Sequence, residues 1–440
     1  SGSFGLPLGK WRWRIEPRRR VYMNALDVAY GVGALILSPV WARKARSGWT
    51  ERLGHVLALG RKKPGKPRVV LHAVSVGEVN ALRELVPMLR PHAEVVVATT
   101  TDTGLARAKA LFEPGGPVLR YPLDFSSSVR RFMDAVDPDF VGLVELEVWP
   151  NFVAECVARS VPVGVINGRL SDRSIKGYRR IRRWIGPAFE ALAFAAAQNE
   201  DYAARFREMG TPPERVSATG SMKWDTALVA NDAPGSAELA RALGIDRTKP
   251  LIVAGSTAEG EDALLHAACP DGVQLLCAPR KPERFDEAAA GLPGCVRRSE
   301  RASGVGDAGA SRFLLDTLGE LRAAYALADV AVIGRSFGSL GGSDPIEPIG
   351  LGRATLIGPS HRNFESIVGT LRAAGAIRVV PADGLGMALR DLLADAAARA
   401  EMARHGRACI AAQRGATRRH ADMILAAVAP SNTQSERRGA

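Results

Sequence analysis

Short apolar runs of strand length recur along this chain, and each gives way to a more polar stretch with helical spacing. The first series is VVLHAV from Val69, EVVVATT from Glu94, FVGLVEL from Phe140 and VPVGVING from Val161. Stretches such as SSVRRFMDAV and FVAECVARS follow them with helical periodicity. This alternation predicts a parallel sheet with helices on both faces. A second series, LIVAGS, VQLLCAP, RFLLD, VAVIG and ATLIGP, begins near Pro250. The expected fold class is therefore α/β, two Rossmann-like domains facing across a cleft, and such a cleft is the natural ligand site.

Pro212-Pro213, Gly220 and Pro234-Gly235 place the boundary between the halves. The expected organisation is a flexible leader over 1–22, a membrane-associated helix over 23–48, a first Rossmann-like domain over 49–215, a linker over 216–247, a second Rossmann-like domain over 248–400, C-terminal helices over 401–430 and a disordered tail over 431–440. A mobile loop is expected from Arg298 to Ser311. At 440 residues the chain exceeds one ordinary core, which favours two domains.

A net charge of +13 calls for an anionic partner. Aromatic residues make up only 6% and no nucleic-acid module is recognisable, so a membrane surface with anionic lipid is expected and nucleic acid is not. The cations gather in Arg18-Arg19-Arg20, Arg43-Lys44-Arg46, Arg61-Lys62-Lys63 and Arg179-Arg180-Arg182-Arg183. Cys156, Cys269, Cys277, Cys295 and Cys409 are odd in number and never in a CxxC pair, which argues for a reducing compartment and against a disulfide frame or zinc site. No metal and no cofactor are expected. Asn24–Trp41 has about the length of a bilayer core, but Asp27 and Pro39 weaken a span, so spanning and lying at the interface both stay open. If Met23 starts the chain, the cations after this segment put the body in the cytoplasm.

The chemistry centres on Glu78, which stands where the first apolar strand hands over to a helix. An acid at the carboxyl end of a parallel strand can accept a proton from a substrate hydroxyl. The alternative is a first-turn acid that only complements the helix dipole. Glu145 and Glu147, two apart, are expected on one side of a strand at a wet, polar edge, or else as a structural pair capping the helix at Asn151. Arg169, Arg173 and Lys176 suit an acceptor phosphate or a sugar carboxylate, or form a solvated basic helix start. On the second half, Ser256-Thr257 are expected to open a helix at Glu259 that offers N–H groups to a phosphate. Arg280 follows a strand and carries a fixed charge. Gly334, Ser336, Gly341 and Gly342 form a Gly-rich loop suited to close approach by phosphate.

In order along the chain, HAVSVGE, TTTDTG, YPLDF, VELEVWPNF, NGRLSDRS, GSMKWD, AGSTAEGED, PRKPERF, LLDTLGELRAAYALADVAVIGRSF and GGSDPIEP resemble the Kdo (3-deoxy-D-manno-octulosonic acid) transferases of glycosyltransferase family 30. The resemblance runs from about Ala29 to about Ala427. It implies a GT-B type fold and a metal-independent, inverting transfer of Kdo from CMP-Kdo to a lipid A precursor (lipid IVA). Anchoring on the cytoplasmic face of the inner membrane is implied as well. Glu78 would be the base, and Ser75, Glu145, Glu147, Arg169 and Arg173 would face the acceptor. Ser256, Thr257, Arg280, Lys281, Gly334, Ser336, Gly341, Gly342, Asp344 and Glu347 would hold the sugar nucleotide, Glu347 at the ribose.

This chain departs from the family's pattern at Ala258, Lys281, Ser343 and Asp344, all on the donor side. Lys281 and Asp344, a gained cation and a gained anion, are expected to compensate one another, with lineage drift as the alternative. The rival functions are a transferase for another CMP-activated keto-acid sugar and a catalytically silent protein that binds anionic lipid.

Overall fold

The computed structural model describes residue 27, residues 47–301 and residues 309–429, and leaves the side chain of Arg173 undescribed. The expected leader, nearly all of the 23–48 helix, the cations at 18–20 and 43–46, part of the 298–311 loop and the 431–440 tail lie outside the described residues. No described helix is long and apolar enough to cross a membrane. The chain forms two compact units, dividing at Met222/Lys223 and again at Arg414/Gly415, where it returns to the first.

In the first unit the strands are β1 (Arg68–Ala73), β2 (Glu94–Thr99), β3 (Val118–Arg120), β4 (Phe140–Val144), β5 (Val163–Gly168), β6 (Phe194–Ala197) and β7 (Val216–Ala218). They form one sheet in the order β3-β2-β1-β4-β5-β6-β7. Every pairing in it is parallel. Alternate residues feed two cores: Val70, Val96 and Val141 pack on one face, and Val69, Leu71, Val95 and Val97 on the other. Coverage of both faces is what makes the central strands unbroken apolar runs.

Five helices of this unit matter below. They are α1 (Val76–Ala81), α2 (Ser126–Val136), α3 (Pro150–Ala158), α4 (Asp172–Glu190) and, after the chain's return, the helix Ala416–Val428. That last helix buries Ala416, Ala421 and Ile424 among Val69, Leu71 and their neighbours. Its His420 is pinned: Nε2 accepts from the Asn167 N–H at 2.8 Å, which leaves Nδ1–H to donate to the Ala416 carbonyl at 2.6 Å.

The second unit repeats the plan with β8 (Leu251–Thr257), β9 (Gln274–Pro279), β10 (Val296–Arg297), β11 (Arg312–Leu314), β12 (Val330–Ile333), β13 (Ala354–Ile357) and β14 (Arg378–Val379). Their order is β10-β11-β9-β8-β12-β13-β14, again parallel throughout. The helix α5 (Glu261–Ala268) follows β8. The stretch 216–247, expected as a linker, instead holds β7 and a helix, Ser236–Leu243, whose Leu239 and Leu243 join the second unit's core.

In each sheet the chain builds outward on one side of its first strand and then crosses to the other side. The reversal falls between β1 and β4 in the first sheet, and between β8 and β12 in the second. A parallel sheet opens a crevice at the carboxyl ends of the strands at such a switch point. Glycines keep the second one tight: a Cβ on Gly334 would lie 2.5 Å from the Ser256 carbonyl oxygen. Because backbone cannot yield as a flexible side chain does, Gly334→Ala should lower stability by about 2 kcal/mol in urea unfolding.

Candidate active site

Glu78 lies in the first turn of α1, directly after β1. Ser75 is the N-cap: its Oγ accepts from the Glu78 N–H at 3.4 Å and donates to Glu78 Oε1 at 2.8 Å. The other carboxylate oxygen accepts from the Val74 N–H at 2.8 Å. Glu78 is thus a capping acid as well as an acid at a strand end. Those hydrogen bonds favour ionisation, but burial first, and then the Glu145 carboxylate, raise its pKa from the ordinary carboxylate range to about 7.

Glu145 and Glu147 meet Glu78 because β4 lies beside β1. They do not share a strand face, as their spacing suggests, since β4 ends at Val144. Glu145 turns the chain in the left-handed region, φ 61°, and its N–H donates to the Ile166 carbonyl at 3.0 Å. Glu147 accepts from Trp149 Nε1 at 2.7 Å, and burial pushes its carboxyl pKa up as well. Neither acid caps α3. That role falls to Asp124, whose carboxylate accepts from the Asn151 and Phe152 N–H groups at 3.1 and 2.8 Å.

Of the cations expected to face an acceptor, Arg169 is half-buried and its N–H donates to the Glu145 carbonyl at 3.3 Å, so it borders the carboxylate cluster. Arg173 and Lys176 lie in the first turns of α4, and Lys176 is exposed. Tyr178, farther along α4, is raised in pKa by burial and by the Glu147 carboxylate.

The loops expected to hold the donor are organised by a residue that the sequence pattern did not single out. Buried Glu261 takes four backbone N–H groups: Oε2 accepts from Ala258 at 2.8 Å and Arg335 at 2.6 Å, and Oε1 from Ser336 at 2.9 Å and Phe337 at 3.0 Å. One carboxylate thereby ties the loop after β8 to the loop after β12. The expected helix start at Glu259 is in fact two residues later, at Glu261, and Ser256 has a left-handed φ of 59°. Thr257 Oγ1 donates to Asp262 at 2.6 Å.

In the expected phosphate loop the amides of Gly334, Ser336, Gly341 and Gly342 are already bonded within the protein. Besides the three N–H groups held by Glu261, the Gly334 N–H donates to the Gly255 carbonyl, that of Gly341 to Ser360 Oγ and that of Gly342 to the Arg335 carbonyl. Ser336 is fully buried, and its Oγ donates to the Ile333 carbonyl at 2.5 Å and accepts from the Gly358 N–H at 2.7 Å.

Arg280 and Lys281 are both exposed at the end of β9. The expected compensation of Lys281 by Asp344 is absent: Lys223 is the cation that acts on Asp344, whose carboxylate accepts from the Ile346 N–H at 2.9 Å. Glu347 is half-buried and accepts from Arg322 Nε at 2.7 Å. Burial and the Glu347 and Asp344 carboxylates keep the Tyr325 hydroxyl protonated.

Sequence reasoning also missed Asp27, which it weighed only against a membrane span. Its carboxylate accepts from the Ser126 N–H at the start of α2 at 2.9 Å and from Asn151 Nδ2 at 3.1 Å. The signal for Glu261 was present: an acidic pair just after a glycine, in a helix's first turn. Nothing local could reveal that three of its four partners lie more than 70 residues on. Among the described residues no group of three or more His, Cys, Asp or Glu is arranged to hold a metal ion.

Two parallel Rossmann-like units in one chain define the GT-B type of glycosyltransferase fold. The UDP-GlcNAc 2-epimerase of Neisseria meningitidis, bound to UDP-GlcNAc, shares this fold at a TM-score of 0.55 and 13% identity, covering 81% of this chain and 99% of that one. Anabaena HepE in complex with UDP-glucose does so at 0.57 and 12%, covering 82% and 99%. Residues 47–226 match the family described as 3-deoxy-D-manno-octulosonic-acid transferase (kdotransferase). The 3-deoxy-D-manno-octulosonic acid transferase of Bordetella pertussis is 36% identical over 437 residues, 92% of this chain and 98% of its own length. That of Haemophilus influenzae is 33% identical over 384 residues, 82% and 87% of the two chains. The chain belongs to the Kdo transferase family and is a glycosyltransferase.

The raised pKa of Glu78 has a consequence for stability. The folded state holds this proton more tightly than the unfolded chain, so the contribution is full below the ordinary carboxylate pKa and is lost as pH rises through about 7. Glu78→Gln should therefore melt later than wild type at pH 8, by about 1 kcal/mol or more, and at nearly the same temperature at pH 5, as followed by calorimetry.

Proposed function

We propose that this protein transfers Kdo from CMP-Kdo to a hydroxyl of a lipid A precursor, lipid IVA, with inversion and without a metal ion. The observation that carries the reading is the Glu78 carboxyl, set at the β1/β4 switch point and poised at about pH 7 by burial and Glu145. A base works best when its pKa lies near the working pH. In the step, Glu78 takes the acceptor's O–H proton as that oxygen bonds to the anomeric carbon. The bond from that carbon to the phosphate oxygen breaks, and its electron pair leaves with CMP. Arg280 and Lys281 supply positive charge for the departing phosphate, where preorganised charge counts most. Glu347, held by Arg322, takes the ribose hydroxyls in this reading, the role that the family resemblance implies.

The transfer assay with product mass determination tests donor, sugar and sugar count together. Wild type should give Kdo-bearing product with a rate that rises with pH through an apparent pKa near 7. Glu78→Gln should fall at least about 100-fold. Unchanged turnover in that variant would leave only the lipid-binding reading. Product mass fitting another keto-acid sugar would instead favour the rival donor, as the changes at Ala258, Lys281, Ser343 and Asp344 allow.

We also propose that the protein works at an anionic membrane surface, the cytoplasmic face of the inner membrane. On α4, Ile181 and Trp184 are 45% and 61% exposed amid Lys176, Arg179, Arg180, Arg182 and Arg183, all of them exposed. Apolar side chains ringed by cations suit a headgroup layer, where Trp sits at the boundary and Arg meets lipid phosphate. Binding to vesicles containing phosphatidylglycerol should weaken roughly tenfold in Trp184→Glu and fall with added salt. Cosedimentation that is indifferent to both would remove α4 from the contact.

A further inference from the structure

Six described arginines have a buried Nε with no hydrogen-bond acceptor: Arg90, Arg215, Arg301, Arg335, Arg353 and Arg407. In five of them the residue is secured by other contacts, as where Arg90 donates to the Phe112 carbonyl and Arg407 to that of Ala230. Among the described residues only Arg335 of this set has a guanidinium with no hydrogen bond and no ion pair. Arg335 is half-buried, and a permanent cation that keeps a buried, unanswered Nε–H calls for an acceptor from elsewhere.

The backbone at Arg335 strengthens the case. Its φ is 60°, a left-handed conformation that a branched or long side chain adopts at a cost and glycine adopts freely. The conformation is imposed by Glu261, which holds the N–H groups of Arg335, Ser336 and Phe337 together. That clamp grips backbone only, so it does not need an arginine there. An outlier held rigidly by its surroundings points to function rather than to packing.

Position completes the argument. Arg335 follows β12 at the β8/β12 switch point, and its N–H shares one Glu261 oxygen with the N–H of Ala258 from the loop after β8. Ala258 contributes only a methyl group, and the neighbouring amides are already bonded. At this loop edge the guanidinium, rather than those bonded amides, is left to meet an anion.

Resting on the function proposed above, we infer that Arg335 holds an anionic group of the donor, the phosphodiester or the sugar carboxylate. Each presents two oxygens that match the guanidinium fork, which a lysine would not reproduce. The test uses the full chain, Arg335→Gln and Arg335→Gly, titrated calorimetrically with CMP and with CMP-Kdo, beside thermal melts and the transfer assay. Affinity for CMP-Kdo should fall at least tenfold in both variants, while Arg335→Gly melts no lower than wild type because glycine accepts the left-handed turn.

A parallel loss of CMP affinity identifies the phosphodiester as the partner, and unchanged CMP affinity identifies the carboxylate. Variants that bind both ligands like wild type overturn the inference, as do melts lowered by more than about 5 °C in both, which would make the arginine structural. Wild type that transfers Kdo while the variants are unaffected sinks only Arg335. Wild type that binds neither ligand sinks the donor assignment and Arg335 together.

Discussion

Everything at the candidate site follows from one constraint: a parallel sheet delivers its loops to the carboxyl edge, and a reversal of strand order leaves a crevice there. In the first unit the reversal puts the chain leaving β1 beside the chain leaving β4. Glu78 and Glu145, 67 residues apart in sequence, therefore share one small space. Their mutual repulsion and partial burial convert an ordinary capping acid into a group that titrates near neutrality. The second unit uses the same reversal to bring the Glu261 and Arg335 loops together.

The two glutamates show how surroundings decide what a carboxylate does. Glu261 is surrounded by four N–H donors and serves as a rivet between loops. Glu78 has two donors on its carboxylate, a second acid close by and a protein surface that withholds water. The first arrangement stabilises fixed charge; the second leaves a proton easy to exchange. Asp124 and Asp27 are further rivets, capping α3 and α2 from outside those helices. Since α3 starts just after Glu147 and Trp149, the cap at Asp124 also sets where the acidic turn can lie.

Much of the fold was legible because buried parallel strands leave long apolar runs. Strands β1, β2, β4, β5, β8, β9, β11, β12 and β13 all coincide with runs visible in the sequence. The ones without such a signal are short or weakly apolar. β6 is Phe194-Ala195-Ala196-Ala197, and alanine carries little strand preference even when wholly buried. β7 is three residues long in a stretch whose prolines and glycines read as a linker.

Within the site, residue type and order along the chain determined the family, the acid at position 78 and the two-unit plan, because each is written in contiguous residues. Tertiary structure alone decided the rest. Strand order set Glu145 against Glu78, the Glu261 carboxylate took the amides of Arg335, Ser336 and Phe337, and Lys223 rather than Lys281 came to act on Asp344. Charge and hydrogen bonding act over a few ångströms of space, and chain sequence does not measure that distance until the strands have paired.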